Sequence, residues 1–434
     1  MFPPTITEIP DFCFYDCPNL DLDLPETVTS LGDYCFSSCT SLSSAVIRSS
    51  VTHVGEKCFS GCTGLTEVTL PVELPTFDLF NNCRGVERIH YTVSGDGAMP
   101  AQYTYSEIQN NSEYEGRYYG STLPHCTWNL SEVVFDEGTT SIARYAFYWL
   151  DNDLTVTLPE TVTYIGEHAL NSDRYGVAYR IEGPANGLPR DLRTLGANAL
   201  KSTTLEAIVI PAAVTEIPEY CFGNCNRLMQ IIFAGDAPEI SKNAFYSVYD
   251  AAAYYDPGHP GWTEEKRQDY GGSLTWIAVH DGWTEPEYEW QDFDHVTASR
   301  VYVGENATIE RETAPVALRV AVPPTDTDQG VTAYTATFDN AAFKTQVKTE
   351  TDIPALNSLD KLILPAGLTT IDEEAFMGLP CECVIVPEGV TSIGPRAFAS
   401  CEQLIYVKLP SELSDIAADT FEDCPQARLD DGRQ

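Results

Sequence analysis

Residues 28–36 read Val28-Thr29-Ser30-Leu31-Gly32-Asp33-Tyr34-Cys35-Phe36, and residues 51–59 read Val51-Thr52-His53-Val54-Gly55-Glu56-Lys57-Cys58-Phe59. Far downstream the pattern returns as Val390-Thr391-Ser392-Ile393-Gly394-Pro395-Arg396-Ala397-Phe398. Three residues after each Phe stands a Cys (Cys39, Cys62, Cys401), and three further on a Leu (Leu42, Leu65, Leu404). An alternating apolar stretch follows, such as Leu65-Thr66-Glu67-Val68-Thr69-Leu70-Pro71 or Leu404-Ile405-Tyr406-Val407-Lys408-Leu409-Pro410. The landmark aromatic or Leu recurs at Phe14, Phe36, Phe59, Phe80, Phe147, Leu170, Leu200, Phe222, Phe245, Phe376, Phe398 and Phe421, mostly at intervals of 21, 22 or 23 residues.

A period of roughly 20–29 residues with this apolar pattern marks leucine-rich repeats. Each period supplies one short strand, in which alternation sends Val68 and Leu70 inward and Glu67 and Thr69 outward. The Pro that follows lacks an amide hydrogen and ends the ladder. The Gly or Pro after the Val-Thr-x-Ile step permits a tight turn, and the Ala/Cys-Phe pair buries the return segment. One unit cannot hide its apolar side alone, so the units stack. The expected fold is α/β: a leucine-rich-repeat solenoid, a parallel β-sheet with short turn or helical return segments.

Three gaps break the period. Phe80 to Phe147 holds a Tyr-rich insertion at 90–128, and Leu170 to Leu200 a small one around Asn171 to Pro189. Phe245 to Phe376 spans 131 residues, enough for a small domain. Runs such as Ala298-Ser299-Arg300-Val301-Tyr302-Val303 and Thr332-Ala333-Tyr334-Thr335-Ala336-Thr337-Phe338 read as antiparallel strands there. The expected division is an N-terminal solenoid at 1–280 with a closing segment at 246–280, a small antiparallel β-domain at 281–354 inserted between two repeat arms, and C-terminal repeats at 355–434.

Lys and Arg number 25 against 64 Asp and Glu in the 434 residues, a net charge of −39. Such a surface repels phosphate backbones and anionic lipid, which excludes nucleic-acid or membrane binding through basic patches. With 43% apolar residues the chain has ample material for a core. The longest oily run, Leu205 to Val214, contains Glu206 and Pro211, far short of a membrane span. Met1-Phe2-Pro3-Pro4 leads straight into patterned sequence without a signal-like segment. That leaves two readings, a cytosolic chain or an exported one whose signal has been removed.

The motif Val-Thr-x-Ile-Gly-x-x-Ala-Phe-x-x-Cys-x-x-Leu resembles the BspA-like family of leucine-rich repeat proteins, over roughly 1–245 and 359–424. Tyr254-Tyr255, Trp262 and Tyr270-Gly271-Gly272-Ser273-Leu274-Thr275-Trp276 look like the segment that closes repeat arrays in surface proteins of gut-dwelling anaerobic bacteria. Residues 282–355 are similar to a module such proteins carry beside the repeats. That module often holds Cys pairs, whereas here no Cys lies between Cys225 and Cys381. The resemblance implies a secreted or cell-surface protein that binds host or neighbouring-cell partners. It carries no catalytic residues to transfer.

Candidate chemistry is thin. Four Cys pairs at C-x-x-x-C spacing (Cys13/Cys17, Cys35/Cys39, Cys58/Cys62, Cys221/Cys225) invite a zinc or disulfide reading. Yet they occupy equivalent places of stacked repeats, so Cys17, Cys39, Cys62 and Cys83 form a column, and parallel side chains make no tetrahedral cage. The same logic disfavours Cys381-x-Cys383 as a metal clip. His125-Cys126 has no third orienting group, and the motifs of metalloproteases, serine hydrolases and phosphate loops are missing. Asp326-x-Asp328-x-Gly330 echoes part of a calcium loop without its closing Glu. No catalytic residue, cofactor site or metal site is therefore expected.

Two features point to a partner. The outward strand positions Val46, Thr69, His90, Val134, Thr157, Val209, Ile232, Ile363, Ile385 and Lys408 make one row, several of them apolar. Such a row is either an interaction surface or β-propensity alone. The insertion carries Tyr91, Tyr103, Tyr105, Tyr114, Tyr118 and Tyr119 among Ser, Asn and Gly, the composition of a binding loop or of a cap packed on the solenoid. The expected function is a non-enzymatic protein-binding or adhesion scaffold. A carbohydrate-binding module built on Trp262, Trp276, Trp283 and Trp290, or a plain architectural spacer, are the alternatives.

Overall fold

The alternating stretches form parallel strands in the computed structural model. It describes residues 5–74, 79–100 and 129–431, apart from 149, 151, 173–176, 184–186, 281, 292, 305, 412, 414 and 415. Ser44–Val46, Glu67–Pro71, Arg88–Thr92, Glu132–Phe135, Leu154–Thr157 and Tyr179–Glu182 build one six-stranded sheet in chain order. Val68, Ile89, Val133 and Val156 point inward and are fully buried, and their neighbours in sequence face out, as a period of two requires. Ala207–Ile210, Gln230–Phe233, Ala251–Tyr255 and Leu274–Ala278 make a second parallel sheet. Lys361–Ile363, Cys383–Ile385, Tyr406–Lys408 and Arg428–Asp430 make a third.

Most of the described turns also contribute a shorter strand that the periodicity did not single out, at the Thr-x-Ile step. Glu8–Ile9, Ser30–Leu31 and His53–Val54 pair in parallel, as do Ser141–Ile142, Tyr164–Ile165 and Thr194–Leu195. The Gly that closes this step is there for space. A Cβ on Gly55 would lie 2.4 Å from the backbone nitrogen of Asp33 in the turn below, and one on Gly196 2.2 Å from that of Glu167. Turns stacked at strand spacing leave no room for a side chain at that corner.

The return segments take the turn option rather than the helical one. Among the described residues, helix is confined to the 3-10 pieces Glu264–Lys266 and Leu356–Ser358. Two residues in each typical turn, flanking the landmark Phe, adopt left-handed backbone conformations: Tyr34 (φ 55°) and Ser38 (φ 64°) around Phe36, Arg396 (φ 56°) and Ser400 (φ 58°) around Phe398. Each such non-Gly residue costs about 1–2 kcal/mol. Hydrogen bonds offset that cost, because the kinks aim alternate amides along the stacking axis. Tyr34 N donates to Glu56 O (2.9 Å), Phe36 N to Cys58 O (2.9 Å) and Ser38 N to Ser60 O (2.7 Å). Inside these rungs the Phe rings stack, Phe14–Phe36–Phe59–Phe80 at 5.5, 5.2 and 5.6 Å and Phe376–Phe398–Phe421 at 5.2 and 5.4 Å.

Two compact units result, 1–284 with 301–310, and 285–300 with 311–434. The first holds the six-stranded and four-stranded sheets, and the second holds the third parallel sheet. Between the repeats the chain forms antiparallel strands, Glu287–Gln291, His295–Val303, Thr308–Val322, Gly330–Ala336 and Gln346–Ile353. Within the second unit Thr332 and Tyr334 hydroxyls donate to Asp352, which also faces Arg428 at 3.5 Å. The first residues of the 90–128 stretch continue the solenoid. Arg88–Thr92 is a regular strand paired on both sides, and Ala98 bridges Ser141.

The close approach of turns yields a paired test. Gly55→Ala should destabilise by about 1–3 kcal/mol through overpacking. Gly367→Ala, whose Cβ meets nothing within 4 Å, should stay within about 0.5 kcal/mol of the parent. Urea denaturation of both variants measures the difference.

Candidate functional site

Cysteine offers the first candidate centre, and its geometry is that of a hydrogen-bonded ladder. The Cys three residues past each Phe points back at the carbonyl of the preceding landmark: Cys39 Sγ donates to Phe14 O (3.2 Å), Cys62 to Phe36 O (3.2 Å) and Cys83 to Phe59 O (2.9 Å). Cys225, Cys401 and Cys424 repeat the contact with Leu200, Phe376 and Phe398 at 3.3, 3.3 and 3.1 Å. A small apolar residue with a weak donor fits a buried carbonyl lying beside a ring stack. All thirteen described cysteines are unbridged, and no cluster of metal-ligating side chains occurs among the described residues. Burial pushes the thiols of Cys39 and Cys225 up to about 11, while a hydrogen bond with Cys83 holds Cys62 lower. Cys126 lies outside the described residues.

Other chemical candidates are engaged in structure. The Asp326–Asp328 turn is closed by Thr325, whose Oγ1 donates to Asp328 Oδ2 (2.9 Å), and by Lys361 at 3.4 Å from Asp326. Trp262 is buried against Phe233 (4.8 Å) and donates Nε1–H to Gly235 O. Trp276 stacks on the same Phe233 at 5.5 Å and donates to Gln268 O. These two indoles close the first unit's core.

The outward row is a real line of neighbours. Val46 lies opposite Thr69, Thr69 opposite His90, His90 opposite Val134 and Val134 opposite Thr157. Val209 pairs with Ile232, Ile363 with Ile385, and Ile385 with Lys408, in the other two sheets. Val46 is 47% exposed, and Thr69, His90, Val134 and Thr157 are half-buried. The expectation that Val209 and Ile232 share this open face is corrected: they are 4% and 0% exposed. Val301, Val303 and Ala307, from the hairpin tip of the inserted strands, pack on them together with Tyr254. In the second unit Ile363 is exposed, whereas Ile385 packs beside Ile353, Cys383 and Tyr406. Tyr103, Tyr105, Tyr114, Tyr118 and Tyr119 lie outside the described residues.

At the carboxyl ends of the first strands the face deepens into an open groove of about 740 Å³, lined by Val46, Thr69, Thr92, Arg48, Glu26 and Asp136 among others. Arg48 is tied to Leu24 O (2.6 Å) and Asp23 (2.9 Å), and His90 Nε2 meets Asp136 Oδ1 at 2.7 Å. Sequence reasoning missed Glu26 and Asp136. Their signal is the acidic residue that recurs just after the strands, as in Pro25-Glu26, Phe135-Asp136-Glu137, Pro159-Glu160 and Pro387-Glu388.

The sequence of the chain matches the model of the BspA type leucine-rich repeat region over residues 1–95, 121–175, 186–252 and 355–429. The chain belongs to the BspA-type leucine-rich repeat family. That is a family of repeat proteins rather than enzymes. Among solved structures, this BspA-type chain is similar to a leucine-rich repeat protein from Bacteroides ovatus, with 19% identity over 99% of this chain and 82% of that one and a TM-score of 0.24. It is also similar to a leucine-rich cell surface protein from Faecalibacterium prausnitzii (18% identity, 92% and 76% covered, TM-score 0.23). The pneumococcal vaccine antigen PcpA matches at 14% identity over 64% of this chain and 78% of that one, with a TM-score of 0.27. No curated protein matches the chain closely enough to count as a relative. No helix among the described residues is long and apolar enough to cross a membrane.

The ladder gives an alkaline signature. A folded pKa near 11 for Cys39 and Cys225, against about 8.5 in the unfolded chain, means that the folded state keeps protons that the unfolded state loses. Stability should fall as pH rises from about 8.5 towards 11 and level off above. Melting temperatures across that range, beside a thiol titration with and without denaturant, measure it. All cysteines should titrate in denaturant without reductant.

Proposed function

We propose that this BspA-type chain is a non-enzymatic, secreted or cell-surface scaffold that binds a protein partner. The contact surface is the outward row of the six-stranded sheet, Val46, Thr69, His90, Val134 and Thr157. One observation carries the reading: this row runs in register across five strands and remains accessible, while the same row at Val209 and Ile232 is buried under the chain's own hairpin. An in-register, part-apolar face without an apolar cover among the described residues is the kind of surface that partners occupy. The surface location takes support from the Faecalibacterium prausnitzii protein, which is described as a cell surface protein. The Tyr-rich segment at 103–119 supplies a second contact in this proposal. A glycan-binding reading loses two of its four indoles, since Trp262 and Trp276 are engaged in packing.

Immobilised chain should capture a saturable ligand from host matrix proteins or bacterial surface fractions. The double variant Val46→Arg with Thr157→Arg should weaken capture by about tenfold or more. Ile363→Arg in the second unit should leave it unchanged. Saturable binding indifferent to the double variant would reject this face, and no binding to any fraction would favour the spacer.

A further inference from the structure

Several of the acidic residues that follow the strands share a structural use, and Glu26 departs from it. Glu73 accepts the amides of Ser94, Gly95 and Gly97, Glu160 that of Arg190, and Glu388 that of Ser411. Each carboxylate thus braces the turn stacked next to it. Glu26 occupies the equivalent place after Pro25 but makes no such bond, and its exposed carboxylate opens on the groove beside Ser49 and Ser50. Across the groove stand Asp136, oriented by His90 at 2.7 Å, and Glu137. The groove's cation, Arg48, is already neutralised by Asp23 at 2.9 Å. The lining therefore carries unbalanced negative charge next to Thr69, Thr92 and the aliphatic surface of Val46 and Val93.

The first unit also contains an example of what this kind of face holds. Over Val209, Ile232 and Tyr254 the occupant includes a strand end, with Val301 and Val303, alternate residues of His295–Val303, laid on the sheet. We propose that the groove at Glu26, Val46 and Asp136 receives an extended, cationic polypeptide segment of a partner, its alternate Lys or Arg side chains meeting Glu26 and Asp136. The inference rests on the reading of the six-stranded sheet as the contact face, and adds to it the chemistry of the partner. Charge complementarity of this kind sets partner choice and association rate, and it weakens with salt.

A labelled peptide of alternating lysine and valine, with a glutamate-and-valine counterpart, tests it by fluorescence anisotropy against the full chain. Glu26→Gln with Asp136→Asn should weaken the lysine peptide by about tenfold. The control Glu373→Gln with Glu402→Gln removes the same charge from exposed sites outside the groove, and should change binding less than about twofold. Both double variants should melt within a few degrees of the parent, as surface substitutions do. Equal loss in the two variants would show attraction to the overall −39 charge and overturn the inference, as would failure of the lysine peptide to bind. The sheet-face reading is judged separately: a matrix or surface ligand lost on Val46→Arg with Thr157→Arg, yet indifferent to Glu26→Gln with Asp136→Asn, would keep that reading and discard the cationic segment.

Discussion

Successive turns lie so close that a single Cβ cannot be added at the glycine corners, where it would fall 2.2–2.5 Å from backbone atoms of the turn below. Everything else follows from that spacing. A chain held at strand separation must satisfy its amides along the stacking axis, in the return segments as well as in the strands. The left-handed residues that flank the landmark Phe in the typical turn do this by rotating alternate amides towards the next turn. The Phe rings then stack at 5.2–5.6 Å, a contact worth about 0.5–1.5 kcal/mol per pair beyond burial. The Phe carbonyl is met by a thiol from the turn above. Cysteine serves there as a small donor to a buried carbonyl.

The same spacing fixes which side chains are available to a partner. Once the register is set, every outward residue belongs to a row, and a row is either covered or free. In the first unit the covered part is Val209–Ile232–Tyr254, sealed by Val301, Val303 and Ala307. The row from Val46 to Thr157 has no comparable apolar cover among the described residues. In the second unit Ile353 and its neighbours pack on Cys383 and Tyr406, and leave Ile363 68% exposed. Inserted strands thus take up sheet surface that the repeats alone would leave open.

Much of this was legible in the sequence because the repeat is nearly exact in its physical demands. The period located the strands, the alternation gave their inward faces, and equivalence of position placed the cysteines in a column. Three things were hidden. The two-residue strands at Ser30–Leu31 and His53–Val54 are too short for alternation to reveal. The left-handed conformations fall on Tyr34, Lys57 and Arg396, residue types that carry no turn signal. The burial of Val209 and Ile232 depends on residues about ninety and seventy positions away in sequence, and no local pattern reports such a contact. The groove acids Glu26 and Asp136 were visible as a recurring residue, but only their hydrogen bonds separate the free one from those that brace a turn.

Carbene footprinting of the folded chain, read residue by residue by mass spectrometry, tests most directly whether stacking sets these rows and the inserted strands cover part of them. Val46 and Ile363, at 47% and 68% exposure, should label strongly, whereas Val209, Ile232 and Tyr254, at 5% or less, should be protected until denaturant is added. Equal labelling of Val46 and Val209 in the folded chain would contradict it.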